Sequence, residues 1–243
     1  YQWFIGGKTV SGATASTLSS KLTNKGDSIN CAVTPNDGKT DGKSMASNVV
    51  TIGNSAPTVA SAKLAPDPAF KSSTLTCTEG ATSDVDGDKV SIRFGWTVNG
   101  STIKAKGNTL TGADFSKKDV VGCVVTPNDG TVDGKSVSSN RVTISNTAPT
   151  VKSVRLTPDP ATKTSTFTCT PSGGVDVDGD KLGYTYRWLV NGSTVSGASS
   201  NTFSSTKLAY KSTVQCGATP FDADDTGKEV TSNIVTISNT APV

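Results

Sequence analysis

The chain has 243 residues, a formal net charge of +3 and no histidine. The absence of any lysine- or arginine-rich run argues against nucleic acid as a partner, and no apolar run is long enough to insert into a membrane. The lack of histidine removes the commonest general base and the commonest metal ligand of proteins.

Landmark residues recur along the chain at intervals of 92 or 93 positions. They are one tryptophan and one cysteine per interval, at Trp3, Trp96 and Trp188 and at Cys31, Cys123 and Cys216. Such an interval exceeds the roughly 20 to 50 residues usual in solenoid repeats and suits a β-sandwich of about 100 residues. We therefore predict three domains in a row: residues 1–56, which hold only the C-terminal part of a unit, residues 57–148, and residues 149–243, which end with the start of the next linker.

Each unit carries a strand around its tryptophan that ends in a tight turn. In chain order, the turns are Gly6-Gly7, Asn99-Gly100 and Asn191-Gly192, whose residue types suit the positive φ angles of two-residue hairpins. Residues 90–98 alternate between apolar and polar side chains, which is typical of a strand with one buried face. Since no segment shows a 3.6-residue apolar period, the sequence predicts an all-β chain.

The two complete units share a Cys…Trp…Cys pattern with a first gap of 19 residues in each. This pattern resembles the immunoglobulin fold, where cysteines of strands B and F bridge two antiparallel sheets and a strand C tryptophan packs on the bridge. The resemblance implies tandem immunoglobulin-like sandwiches arranged end to end, with disulfides Cys77–Cys123 and Cys169–Cys216.

Two features depart from a complete set of such domains. Cys31 has no strand B partner in the sequence, and we expect that partner to lie upstream of Tyr1. The tyrosine that antibody domains place two residues before the second cysteine is missing, because Val121 and Val214 stand there.

Acidic loops precede the tryptophan strand and follow the second cysteine in each complete unit. Because the B–C and F–G loops of such a sandwich share one end, we expect their carboxylates to meet beside the incoming linker. Crowded carboxylates repel one another without a cation, and hard oxygen ligands suit Ca²⁺. The candidate ligands are Asp84, Asp86, Asp88, Asp129 and Asp133 at one junction and Asp176, Asp178, Asp180, Asp222 and Asp224 at the next. The alternative interpretation is that Asp, Asn and Gly simply form good turns.

A second resemblance rests on residues 84–90 and 176–182, which read Asp-Val-Asp-Gly-Asp-Lys followed by Val or Leu, and on the strand ending Trp-x-Val-Asn-Gly that follows. These motifs, with the Thr-Pro-Asn-Asp-Gly sequence at residues 126–130, are similar to PKD-like and Ig-like repeats of large bacterial and archaeal surface proteins. The resemblance implies an extracellular or cell-surface location and a role in stalks, spacers, adhesion or filaments.

Three functional hypotheses remain. The leading one is a non-catalytic structural segment, in which prolines at the linkers stiffen a row of sandwiches whose main partners are the neighbouring repeats of the same chain. The second is an adhesion module that binds a glycan or protein ligand at the surface. The third is a filament subunit, since an incomplete sandwich can accept a strand from another copy. Catalysis is disfavoured, because paired aspartates in repeated turn loops would require an active site in every unit.

Overall fold

The computed structural model describes residues 1–239 and is all β apart from one turn of 3-10 helix at Ser20–Leu22. The linker motif that begins at Asn239 continues into residues 240–243, which lie outside the described part. Below, unit 1 is residues 1–56, unit 2 is residues 57–148 and unit 3 is residues 149–239.

Unit 1 is one five-stranded antiparallel sheet. Its strands are β1 Gln2–Ile5, β2 Lys8–Thr9, β3 Ser28–Val33, β4 Met45–Ala46 and β5 Val50–Thr51, with β3 pairing to β1, β4 and β5.

Unit 2 is a sandwich of two main sheets and a short ribbon. Its strands are β6 Thr58–Val59, β7 Ala62–Ala65, β8 Ala69–Phe70, β9 Leu75–Glu79, β10 Thr82–Ser83, β11 Ser91–Val98, β12 Ser101–Ile103, β13 Thr109–Leu110, β14 Val120–Asn128, β15 Val137–Ser138 and β16 Val142–Ser145. One sheet runs β12-β11-β14-β16-β8, with β15 also on β14; the other runs β13-β9-β7, and β10 pairs with β6.

Unit 3 repeats this plan with longer first strands. Its strands are β17 Thr150–Thr157, β18 Thr166–Val175, β19 Gly183–Val190, β20 Ser193–Thr194, β21 Thr202–Ser204, β22 Thr213–Phe221, β23 Val230–Thr231 and β24 Val235–Thr236. The sheets run β17-β18-β21 and β20-β19-β22-β23, with β24 also on β22.

The tryptophan strand and the second-cysteine strand are direct neighbours in every unit. Trp96 lies opposite Cys123 in the register of β11 and β14, and Trp188 lies opposite Cys216 in β19 and β22. The structure forms the disulfides Cys77–Cys123 and Cys169–Cys216, which join the two sheets of each complete unit. The immunoglobulin-like all-β fold expected from the sequence is thereby confirmed.

The tight turns follow the predicted backbone chemistry. Asn99 and Gly100 have φ angles of 51° and 80°, and Asn191 and Gly192 have φ angles of 49° and 78°. Asparagine tolerates this left-handed region better than most residues, so Asn-Gly closes a two-residue hairpin between β11 and β12 and between β19 and β20.

An asparagine amide ties the last strands of each complete unit to its opposite sheet. Asn140 accepts a hydrogen bond from the backbone N–H of Leu64 at 2.8 Å and donates to the carbonyl oxygen of Leu64 at 3.1 Å. Asn233 repeats both contacts with Leu156, at 2.9 and 3.4 Å. Each side-chain amide therefore bonds both backbone polar groups of one residue in β7 or β17, as a residue of a neighbouring strand would.

The inner face of unit 1 is not covered by a second sheet within residues 1–239. Val50 is 55% exposed, whereas Val142 and Val235, its counterparts one and two repeats later, are 0% exposed. Cys31 is free and half-buried, although it lies opposite Trp3 as its counterparts lie opposite theirs. The contrast shows how much of the burial in units 2 and 3 comes from the sheet that carries the first cysteine.

Candidate functional site at the unit junctions

The B–C loop, residues 84–90 in unit 2 and 176–182 in unit 3, folds around its first aspartate. The Oδ1 atom of Asp84 accepts hydrogen bonds from the backbone N–H groups of Asp86 at 2.8 Å and Asp88 at 3.2 Å. In unit 3, Asp176 Oδ1 accepts from Asp178 at 2.8 Å and Asp180 at 3.1 Å. These Asx turns leave the second carboxylate oxygen of the first aspartate available to face other groups.

The F–G loop, residues 129–136 in unit 2 and 222–229 in unit 3, folds around its own first aspartate in the same manner. Asp129 Oδ1 accepts from the N–H groups of Thr131 and Val132, both at 2.7 Å. Asp222 Oδ1 accepts from Asp224 at 2.7 Å and from Asp225 at 2.5 Å. Turn chemistry, the alternative that the sequence left open, therefore accounts for the local loop shape but uses only one oxygen of each leading aspartate.

The two loops bring three carboxylates together at each junction. One oxygen each from Asp84, Asp88 and Asp129 lie within 4.8 Å of one another, and the same holds for Asp176, Asp180 and Asp222. The grouping of B–C and F–G carboxylates therefore recurs one repeat later.

The incoming linker is held by these loops. Asn54 donates its side-chain N–H to Asp129 Oδ2 at 2.8 Å, and the backbone N–H of Ser55 donates to Asp86 Oδ2 at 2.6 Å. At the second junction, Asn146 donates to Asp222 at 3.0 Å and to Asp225 at 2.9 Å, and the backbone N–H of Thr147 donates to Asp178 at 2.6 Å.

A lysine from the preceding unit also reaches each carboxylate group. Lys25 pairs with Asp88 and donates to the side-chain oxygen of Asn54 at 2.9 Å. Lys117 pairs with Asp180 and, at 2.7 Å, with Asp224. Each ammonium group therefore bridges two consecutive units.

These contacts shift the acidity of the loops. The hydrogen bond from Asn54, together with the backbone N–H groups of Val132 and Thr131, lowers the pKa of Asp129 to about 2. The pKa of Asp222 is lowered chiefly by the backbone N–H of Asp225, and that of Asp224 chiefly by its hydrogen bond with Lys117. The three carboxylates are therefore charged throughout the neutral pH range.

Several oxygens at the junctions are buried without a hydrogen-bond partner. At the first junction this applies to Asp84 Oδ2, and at the second to Asn146 Oδ1, Thr147 Oγ1, Asp176 Oδ2 and Asp178 Oδ1. Burying an oxygen without a donor or a cation costs free energy. Their chemistry, hard oxygen from carboxylate, amide and hydroxyl groups, fits a Ca²⁺ ion.

The predicted ligands do not all join these groups. Asp133 instead contacts Arg93 and accepts from the amide of Asn128 at 2.6 Å, so it faces the sheet beside its loop. Asp86 and Asp178 bind the linker backbone, and Asp224 faces Lys117.

The sequence interpretation missed Lys25 and Lys117. It placed Asn54 and Asn146 in the linkers and Asp225 in the acidic loop, but it assigned none of the three a contact at the junctions. The two lysines and the two asparagines each recur at an interval of 92 residues, like the cysteines of units 1 and 2. That recurrence was the available signal.

A glycine of each F–G loop makes room for the linker backbone. A Cβ atom added at Gly134 would overlap the carbonyl oxygen of Pro57, and one added at Gly227 would overlap that of Pro149. Both prolines are buried, so the linker has little space to retreat.

We expect Gly134→Ala to destabilise unit 2 and displace the linker, at a cost of about 1–3 kcal/mol for overpacking. Gly42→Ala is the matched control, because Gly42 has the same 2.9 Å approach to a proline ring (Pro35) as Gly134 has to Pro127, without the linker carbonyl. Denaturant unfolding of both variants measures the difference. Equal losses in the two variants would contradict a role for the linker contact.

The chain is similar to several solved structures at low sequence identity. No family model matches it, and no curated protein matches it. Among solved structures it is similar to the chicken CNTN1 FN1–FN3 domains, with 12% identity over 77% of this chain and 69% of that chain and a TM-score of 0.33. It is also similar to titin domains A168–A170, with 13% identity over 98% and 88% and a TM-score of 0.32. The three N-terminal domains of the bacteriophage RB49 Highly Immunogenic Outer Capsid protein (Hoc) give 17% identity over 99% and 88% and a TM-score of 0.32.

Within residues 1–239, no helix has the length and apolar character needed to cross a bilayer. The fold assignment itself rests on the sheet order, the two bridges and the buried tryptophans of units 2 and 3.

Proposed function

We propose that the chain is a non-catalytic structural segment of an extracellular surface protein, in which consecutive sandwiches form a semi-rigid stalk or fibre. The observation that carries this proposal is the repeated fixing of the linker. At both junctions the asparagine side chain and the next backbone N–H donate hydrogen bonds to the loops of the following unit, and the proline carbonyl packs closely against a glycine of the F–G loop. A linker that contacts the following unit at three of four consecutive residues has restricted rotation between units, as a stalk requires.

The disulfides support the extracellular setting. Each bridge is buried, and such bridges persist in oxidising compartments and are rare in reducing ones. Labelling of intact cells with an antibody against units 2 and 3 tests the location. Signal only after lysis of the cells would contradict it.

The proposal includes calcium at the junctions. The residues that would hold it are Asp84, Asp88 and Asp129 at the first junction and Asp176, Asp180 and Asp222 at the second. The buried oxygens without partners support this assignment, because they lie on the same loops and on the linker between units 2 and 3. When bound, Ca²⁺ supplies the positive charge that offsets the mutual repulsion of the carboxylates.

We expect calcium to raise the melting temperature of units 2 and 3 and to narrow the distribution of overall dimensions. An ion at one hundred times its dissociation constant adds about 2.7 kcal/mol to the apparent stability of the state that binds it. Thermal unfolding and small-angle X-ray scattering, each with calcium and then with chelator, measure the two effects.

Variants separate the site from general effects of ions. Asp176→Asn with Asp222→Asn is expected to abolish the calcium response at the second junction, whereas Asp133→Asn is the control, since Asp133 faces Arg93. If the wild-type protein shows the same melting temperature and maximum dimension in both solutions, the calcium part of the proposal is wrong.

A further inference from the structure

Lys25 and Lys117 occupy the same place in successive units. Each stands six residues before the second cysteine of its unit, in the turn that leads into β3 or β14. The turn lies at the end of the sandwich opposite its own acidic loops, so its lysine points at the acidic loops of the next unit. The two lysines therefore occupy equivalent positions of the repeated fold.

The contacts of Lys117 differ from those of an ordinary surface lysine. Its side chain is only 13% exposed, whereas the adjacent Lys118 is 73% exposed. Its ammonium group contacts Asp180 of the B–C loop and Asp224 of the F–G loop. One charge therefore ties both loops of unit 3 to unit 2. Lys25 is 35% exposed and makes the corresponding contact with Asp88 of the B–C loop.

These lysines use the same carboxylates that group at the junctions. Asp88 and Asp180 are each paired with a lysine and are each members of a three-carboxylate group. An ammonium group and a divalent ion at these positions compete for the same oxygen ligands and repel one another.

We propose that Lys25 and Lys117 are internal cations that close the two junctions without any metal and that oppose the binding of a divalent ion there. The opposing effect rests on the calcium part of the proposed function; the closing effect does not. Unit 3 carries Tyr210 at the equivalent position, with the Lys211 ammonium 5.5 Å from the tyrosine ring centroid. This lysine contact therefore occurs at the junctions that follow units 1 and 2.

The closing effect is tested in chelator, with Lys25→Met/Lys117→Met as the double variant. Methionine keeps much of the aliphatic stem and removes the charge. We expect the fraction of bent conformers, from ensemble fits to small-angle scattering of the 243-residue chain, to rise about fivefold at each junction. High salt should also raise the fraction of bent conformers of the wild-type protein, because salt screens ion pairs.

Lys118→Met is the matched control. Lys118 lies in the same turn, but its side chain is largely exposed and its ammonium group pairs with Asp224 alone, at 3.3 Å. It should leave the scattering unchanged. Equal scattering of the wild-type protein and the double variant in chelator would overturn the closing role, and thermal unfolding of each variant identifies any that fails to fold.

The opposing effect is tested by calcium titration calorimetry. Removing a unit positive charge beside the ligands should tighten calcium binding at the second junction about tenfold in Lys117→Met and far less in Lys118→Met. Unchanged or weaker binding in Lys117→Met overturns this part. If no form of the protein binds calcium, the calcium part of the proposed function fails together with the opposing effect, whereas scattering in chelator still decides the closing role.

Discussion

Replacing Cys169 and Cys216 together by alanine is expected to lower the free energy of unfolding of unit 3 by about 4 kcal/mol. The bridge closes a loop with a sequence separation of 47 residues, which sets the entropy that it removes from the unfolded chain. Both sulfurs lie in a core where the two cysteines are 1% and 0% exposed, so their loss also leaves a small void.

Guanidinium unfolding followed by the emission of Trp188 measures this loss, because Trp188 is the tryptophan of unit 3. Cys31→Ala is the control variant, since Cys31 is unpaired and belongs to unit 1. A loss below about 1 kcal/mol in unit 3 would mean that the unfolded chain stays compact without the bridge.

The second large effect is expected from Trp188→Ala, at about 3–5 kcal/mol. Trp188 is 0% exposed and stacks on Phe203 with ring centroids 5.1 Å apart. Its indole N–H donates to the carbonyl oxygen of Ser200 at 2.8 Å, so removal of the ring leaves that acceptor unpaired in a partly buried place. The variant therefore loses apolar burial, an aromatic contact and a hydrogen bond together.

Trp3→Ala provides the internal comparison. Trp3 keeps the corresponding hydrogen bond, to Ala15 at 2.9 Å, but it is only half-buried because no second sheet covers it among residues 1–239. Circular dichroism of denaturant unfolding should show a much smaller loss for this variant. Similar losses for the two variants would indicate that the hydrogen bond, and not burial, dominates the contribution of the tryptophan.

The fold was predictable where local sequence decides the backbone. Asn99-Gly100 and Asn191-Gly192 fix hairpins through φ, and the alternation in residues 90–98 fixes which face of β11 is buried. Other features depend on distant segments and have no local signal. The parallel pairing of β8 with β16 is one, and the division into β6 and β7 where unit 3 has the continuous strand β17 is another.

The junction was only partly predictable for a related reason. Aspartates in turn motifs identify their loops, and shared topology brings Asp84, Asp88 and Asp129 together. The partners of those aspartates come from another unit, so their identity depends on how two folded bodies meet. Asp133 shows that membership of an acidic loop does not by itself place a carboxylate in the group. It pairs across the hairpin with Asn128 and contacts Arg93 instead.

The parallel pairing of β8 with β16 has a mechanical consequence. The chain enters unit 2 near Pro57, beside the F–G loop, and leaves after β16, whose Ile144 bonds to the turn at Lys118. Tension along the chain therefore pulls these two parallel strands lengthwise in opposite directions, so their hydrogen bonds carry load together. If a unit does yield, its disulfide keeps a separation of 46 residues from extending, about 150 Å of contour length at roughly 3.3 Å per residue. Units 2 and 3 then lengthen only by the residues outside their disulfide loops, so the load reaches the neighbouring unit after a short extension.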